Sequence, residues 1–236
     1  MKLGLIFAFV LSLAACVTPL DVVPPSVSKA PVSKEQSAFS LRSKTVALVR
    51  GTDDGPAPFC TGVWVTPSTF LTAQHCVDED KMGGVFVYTS ESDVFGKGDP
   101  HPKANIQVRL ASLKKVDAIH DLALLHAPDP PEQHGIVETV ASRVTAGQFV
   151  QTMGHSIGLW YSYSSGDVSA VRWIDAGDGS MMYVQTTVPT SPGNSGGGLF
   201  NENLELVGLC HGTVKHGQNI SFYVHAQHIA EFLKDK

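Results

Sequence analysis

Between Thr45 and Val224 the apolar residues come in short runs, about five to eight residues each, cut apart by Gly, Pro and Asp. The runs are TVALVR (45–50), CTGVWV (60–65), GVFVYT (84–89), NIQVRL (105–110), LALLH (122–126), QFVQTM (148–153), DVSAVRWI (167–174), MMYVQTT (181–187), LELVGLC (204–210) and ISFYV (220–224). Runs of that length, rich in Val, Ile, Thr and aromatic residues, read as β-strands. A doubly wound α/β fold needs a helix between successive strands, and no convincing helical period appears before the end. There Ala226, Ile229, Ala230 and Leu233 fall at i, i+3, i+4 and i+7, which predicts a short C-terminal helix. The expected fold class is all-β, as a sandwich or as barrels. Asp175-Ala176-Gly177-Asp178-Gly179 reads as a turn between two strands, since its spacing fits no EF-hand.

Composition narrows the function. The chain has 236 residues and a net charge of −5, enough length for a core and no electrostatic case for nucleic acid. The 10 histidines show no H-E-x-x-H and no Cys/His cluster, so no metal or cofactor is expected. They read as scattered surface residues, with His225 and His228 on the polar face of the last helix.

The N-terminus reads as an address. Met1-Lys2 is followed by LGLIFAFVLSLAA, shorter than the ~20 residues a membrane-spanning helix needs. Residues 1–15 fit a secretory signal peptide. Leu13-Ala14-Ala15-Cys16 resembles the bacterial lipobox, which implies lipidation of Cys16 and attachment to a membrane. Val17 in place of an aspartate implies, by the same resemblance, the periplasmic side of an outer membrane. Ordinary secretion, or a free periplasmic protein, is the alternative. Residues 16–40, rich in proline and polar residues, fit an extended tether.

Three segments carry chemistry: Thr72-Ala73-Gln74-His75-Cys76, His120-Asp121-Leu122-Ala123-Leu124, and Gly193-Asn194-Ser195-Gly196-Gly197. A serine hydroxyl is a weak nucleophile until a base takes its proton. Histidine can take that proton and return it to a leaving group. A carboxylate holds the imidazole in one tautomer and stabilises its charged form. Glycines around the serine let backbone N–H groups approach a substrate oxygen. Asp117 is the nearby rival to Asp121, but no Leu-Ala-Leu strand follows it directly. Gly193–Gly197 also satisfies G-x-S-x-G, yet α/β-hydrolases place acid and histidine after the serine, within strand–helix units.

These segments resemble those of chymotrypsin-fold serine proteases, in the order His, Asp, Ser. Gly154-His155-Ser156-Ile157-Gly158-Leu159, Ser165-Gly166-Asp167-Val168-Ser169-Ala170 and the stretch from Gly193 to Leu209 resemble HtrA-type bacterial proteases. The resemblance implies two six-stranded antiparallel β-barrels with a short C-terminal helix. The first would span 41–135 with His75 and Asp121, the second 136–236 with Ser195. His75 would be the general base, Asp121 its orienter and Ser195 the nucleophile, with an oxyanion hole of the Gly193 and Ser195 N–H groups. No PDZ domain is expected after the second barrel.

The same resemblance assigns the specificity pocket to Pro189, Thr190 and Ser191 before the serine, and to Cys210, His211, Gly212 and Thr213 after it. None is acidic, which argues against cleavage after Lys or Arg and for a small or medium apolar residue. Asn194 replaces the aspartate that pairs with a new N-terminus in trypsin-type zymogens, and no Arg-Ile-Val-Gly-Gly precedes the first strand. The expected enzyme needs no activating cut. Phe59-Cys60-Thr61-Gly62 before the histidine segment resembles the trypsin-type cysteine pair, implying a Cys60–Cys76 disulfide. Such a loop of about 16 residues is worth ~3 kcal/mol in a chain-entropy model. Cys210 is then a free thiol in the pocket wall. The expected activity is that of a serine endopeptidase acting on proteins or peptides. Its rivals are a non-enzymatic lipoprotein that binds through a protease fold and a narrow ester hydrolase.

Overall fold

The computed structural model describes residues 33–77, 85–94, 106–141, 143–175, 180–214 and 217–234. The signal peptide, Cys16, the tether up to residue 32 and residues 176–179 of the expected turn lie outside the described residues. Among the described residues no helix is long and apolar enough to cross a membrane.

Twelve strands form two closed antiparallel barrels. β1 (Thr45–Thr52), β2 (Gly55–Thr66), β3 (Thr69–Ala73), β4 (Val85–Ser90), β5 (Arg109–Asp117) and β6 (Leu122–His126) close in the order β1-β2-β3-β6-β5-β4. β7 (Phe149–Gly154), β8 (Ser162–Asp175), β9 (Ser180–Thr186), β10 (Gly198–Asn201), β11 (Leu206–Thr213) and β12 (Ser221–His225) close in the order β10-β11-β12-β9-β8-β7. Counted from its own first strand, each barrel uses the same connection order. Closure leaves neither barrel a free sheet edge. The chain ends in helix α2 (Ala226–Phe232), where its apolar period places it.

Side-chain alternation explains why several strands lack a polar face. In β6, Ala123 and Leu125 point into the first barrel beside Val46, Trp64, Phe70 and Phe86. Leu122 and Leu124 point outward into a shared layer, with Met153, Leu206, Leu209 and Val224 of the second barrel and Ile229 and Phe232 of α2. Both faces of LALL are therefore buried, and a continuous apolar run results. β11 divides likewise: Val207 and Cys210 fill the second barrel with Val150, Val184 and Tyr223, while Leu206 and Leu209 join the shared layer.

Four sequence expectations need correction. Helix α1 (Lys34–Lys44) occupies the last part of the supposed tether. Its signal was a capping box: Ser33 Oγ accepts from Gln36 N–H, and the Gln36 side chain accepts from Ser33 N–H. The helix shows no apolar stripe because two of the residues it buries, Ser37 and Lys44, are polar, Leu41 is the apolar one, and Phe39 is left 76% exposed. β3 and β10 escaped notice, being short and adjoining the His75 and Ser195 segments. The strand expected at 105–110 begins at Arg109 and runs on to Asp117; the polar Ser112, Lys114 and Lys115 hid the continuation. His225 and His228 are not surface residues. They are 7% and 6% exposed, with His225 Nδ1 capping α2 through Gln227 N–H and His228 Nε2 accepting from Met182 N–H.

The buried imidazoles set an acid limit. His155 is fully buried, and burial pushes its pKa down to about 3; burial also lowers those of His225 and His228. An unfolded chain takes up these protons near pH ~6.5, before the folded one does. Their contribution to stability is full above that pH and drains away as pH falls toward 3. Urea midpoints should therefore drop steadily from pH 7.5 to 4.5, and a flat series would contradict this reading. Cys60 and Cys76 are bonded, with a Cα–Cα distance of 6.2 Å. Replacing both by serine should cost about 3 kcal/mol in the same urea titration at neutral pH.

Candidate active site

Strand register assembles the acid–base pair. Ala73, the last residue of β3, pairs with Leu122, the first of β6. Asp121 thus lies beside the 3-10 turn Gln74–Cys76 that follows β3. Asp121 has a φ of 53°, a left-handed conformation that aspartate tolerates. Its carbonyl accepts Gln74 N–H at 3.1 Å and its Oδ1 accepts His75 N–H at 2.9 Å. Its Oδ2 lies 2.8 Å from His75 Nδ1. One residue holds the histidine by backbone and ring together.

The carboxylate has a further partner: His211 Nδ1, on β11, lies 2.6 Å from Asp121 Oδ2. Burial opposes the charge on Asp121, but hydrogen bonds from His211 and His75 outweigh it and hold the carboxyl well below the usual range. Asp117 is engaged elsewhere, its Oδ2 lying 2.7 Å from His120 Nδ1. Hydrogen bonds to His120 likewise outweigh burial there and lower its pKa.

The serine loop is fixed from several directions. Asn194 N–H donates to Ser191 O, Gly197 N–H to Asn194 O and Gly196 N–H to Cys210 O. Gly193 and Gly196 have φ of +99° and +81°, which side chains rarely adopt. A Cβ on Gly196 would stand 2.2 Å from Thr61 O, and one on Gly193 would stand 2.2 Å from His155 O. Thr61 of β2 reaches across from the first barrel: its N–H donates to Ser195 O at 2.8 Å and its hydroxyl to Gly193 O at 2.6 Å. Ile157 N–H holds Pro192 O at 2.7 Å. In a trans peptide the C=O and N–H oppose each other, so this bond aims Gly193 N–H away from Ile157. Among the described residues, neither Gly193 N–H nor Ser195 N–H has a protein acceptor, and Ser195 Oγ makes no hydrogen bond to His75.

The expected pocket residues divide. His211, Gly212 and Thr213 line a cavity of about 410 Å³ with Ile174, Tyr183 and Phe222. Thr190 Oγ1 lies 3.1 Å from the buried Tyr223 hydroxyl, Ser191 is half-buried and Pro189 is exposed. Cys210 is a free thiol, as expected, but it is 1% exposed and packs inside the second barrel, so it offers a substrate no surface. Burial pushes its thiol up to about 12. His211 does not simply wall a pocket, because its ring sits on Asp121. Sequence reasoning missed that contact and the Thr61 clamp. Both contacts join distant parts of the chain, so no local spacing announces them.

The ligand atoms of His75, Asp121 and His211 lie within 4.8 Å of one another. The ring-to-carboxylate distances of 2.6 and 2.8 Å are those of hydrogen bonds. A Zn²⁺ ion with bonds of ~2.0 Å would have to push these groups apart.

Four similarities stand beside this geometry. The model of the "Trypsin-like peptidase domain" family matches residues 60–209. "Serine protease HTRA4" of Mus musculus is 30% identical over 129 residues, 53% of this chain and 26% of its own. "Probable periplasmic serine endoprotease DegP-like" of Marinomonas sp. (strain MWYL1) is 35% identical over 128 residues, 52% of this chain and again 26% of its own. The aligned segment thus spans about a quarter of those relatives. The crystal structure of the serine endoprotease from Yersinia pestis superposes with a TM-score of 0.65 at 18% identity, covering 88% of this chain and 67% of that one. That likeness carries the fold.

The glycine geometry yields a prediction. Gly196→Ala must adopt a left-handed conformation, at about 1–2 kcal/mol, and also press on Thr61 O. It should unfold at clearly lower urea than the wild type. Gly193→Ala should shift the loop and cut reactivity at Ser195 about 100-fold or more, with a smaller loss of stability. Equal reactivity in Gly193→Ala, measured by active-site labelling, would remove Gly193 from the site.

Proposed function

The chain belongs to the trypsin-like peptidase domain family, and on that footing we propose that it is a serine endopeptidase working through His75, Asp121 and Ser195. The carrying observation is the bond from the His75 ring to the buried Asp121 carboxylate. It puts the proton on Nδ1 and leaves Nε2 as a base.

Each step follows from that arrangement. Ser195 Oγ attacks the scissile carbonyl carbon while His75 Nε2 takes the hydroxyl proton. The carbonyl oxygen becomes an oxyanion, for which Gly193 N–H and Ser195 N–H are available donors. Donors of this kind are worth ~3 kcal/mol or more each in the transition state. His75 returns its proton to the leaving amine, and an ester to Ser195 remains. Water repeats the sequence in reverse roles and frees the acid. Asp121 stays ionised throughout and stabilises the imidazolium.

Substrate choice rests on uncharged walls. Pro189, Thr190, Ser191, Gly212 and Thr213 carry no acid, which favours a small or medium apolar side chain over Lys or Arg. One methylene discriminates by only about 1–3 kcal/mol, so several residues would be accepted. Asn194 Oδ1 accepts from Ser156 Oγ–H at 3.1 Å, an uncharged lock that needs no newly cut N-terminus. Activity is therefore expected without proteolytic activation. Lipidated Cys16 would tie the enzyme to a bacterial envelope membrane, on the periplasmic side. The similar Marinomonas protein is named periplasmic.

A fluorophosphonate probe tests the activity. Folded wild-type chain should be labelled at Ser195, with labelling abolished in Ser195→Ala and slowed on the order of 10⁴-fold in Asp121→Asn. Unlabelled wild type would sink the proposal. Cys16→Ser should remove acyl label from the chain expressed in a Gram-negative host fed a palmitate analogue; undiminished label would rule out lipidation at Cys16.

A further inference from the structure

The Asp121 carboxylate serves two imidazoles. His75 Nδ1 lies 2.8 Å and His211 Nδ1 2.6 Å from the same oxygen, Oδ2. The rings meet edge to face at 88°, with centroids 6.0 Å apart. An ionised carboxylate only accepts hydrogen bonds, so both rings carry their hydrogen on Nδ1. Each Nε2 is then open to a proton. The side chains are 44% and 41% exposed, so solvent reaches both, while that of Asp121 is 9% exposed.

We propose that His211 is a positioning residue of the active site, coupled to His75 through Asp121, so that the site binds protons as a pair of imidazoles sharing one counter-charge. The inference rests on the endopeptidase reading for its consequence, though not for its geometry. One proton on either ring balances the carboxylate. A second places two cations on one anion and is resisted. A proton on His211 weakens the site even where His75 is neutral. It takes up the negative charge that would stabilise the His75 imidazolium during attack. In the neutral state the His211 N–H adds a fixed donor from the second barrel, helping to hold the carboxylate that orients His75.

The surroundings leave this coupling undisturbed among the described residues. From β9, the Tyr183 ring lies 5.3 Å from His211; burial, reinforced by the Asp121 charge, raises its pKa and keeps it neutral. From β11, the Cys210 thiol is neutral and buried. Ile174, Gly212, Thr213 and Phe222, around the cavity beside His211, carry no charge. The titrating groups facing His211 are His75, from the 3-10 turn, and Asp121, from the turn before β6.

The test compares pH profiles of fluorophosphonate labelling by the folded full chain for wild type, His211→Asn and His211→Ala, with circular dichroism recorded at each pH. The wild-type rate should fall tenfold per pH unit on the acid side and then steepen toward a hundredfold. His211→Asn keeps an N–H donor but cannot take a proton. It should hold the alkaline rate within a few-fold and fall tenfold per unit throughout. His211→Ala should share that single slope but lose about tenfold at alkaline pH, a loss that asparagine rescues. In wild type, the C2–H proton resonances of His75 and His211 should each titrate in two steps over one shared pH interval. That measurement needs neither activity nor a variant. Independent single-step titrations would overturn the proposal, as would superimposable acid limbs in wild type and His211→Asn. Absence of labelling at every pH would instead refute the endopeptidase reading, leaving the titration to decide the coupling.

Discussion

The buried carboxylate of Asp121 is the point on which the site turns. It accepts the His75 backbone N–H, the His75 ring and the His211 ring, and its own carbonyl accepts Gln74 N–H. Those groups come from the 3-10 turn of the first barrel and from β11 of the second. A buried anion without such donors would cost several kcal/mol. With them it stays charged far below the usual carboxylate range. The energetic need to satisfy one charge thus recruits residues from both barrels to one place.

The repeated strand order makes that meeting possible. Each barrel fills its interior with one face of its strands, and β6 and β11 use the other face to build the layer between barrels. The turn just before β6 carries Asp121 and β11 itself carries His211, while Gly196 is bonded to β11 through Cys210 O. Chemistry sits where the shared layer reaches the surface. The positive φ of Asp121 shows that local backbone cost is accepted there for the sake of aim, while Gly193 and Gly196 meet the same demand by lacking a Cβ.

Much of this was legible in the residues. Strand runs and the final helix follow from period, because burial of one or two strand faces writes itself into hydrophobicity, while the three motif segments stand out by residue type and by family resemblance. What stayed hidden has several causes. Helix α1 is held by a cap and by Leu41, not by an apolar stripe. Ser112, Lys114 and Lys115 diluted the apolar pattern of β5. His225 and His228 looked polar on a helical wheel, yet one caps the helix and the other accepts from Met182, so both are buried with polar work to do. Thr61 and His211 depend on partners 132 and 90 residues away. Contacts at such separations leave no local pattern.

The Thr61 clamp has a consequence for the life of the chain. Loop closure over 132 residues is among the most demanding contacts the molecule makes, and it needs both barrels in place. Until then the serine loop lacks its anchor and Asp121 lacks His211. Under the proposed endopeptidase reading, a nascent or half-folded chain therefore carries the residues of the site without the ability to cut its neighbours. On that reading competence arrives only when both barrels are complete, and the architecture itself does the safeguarding.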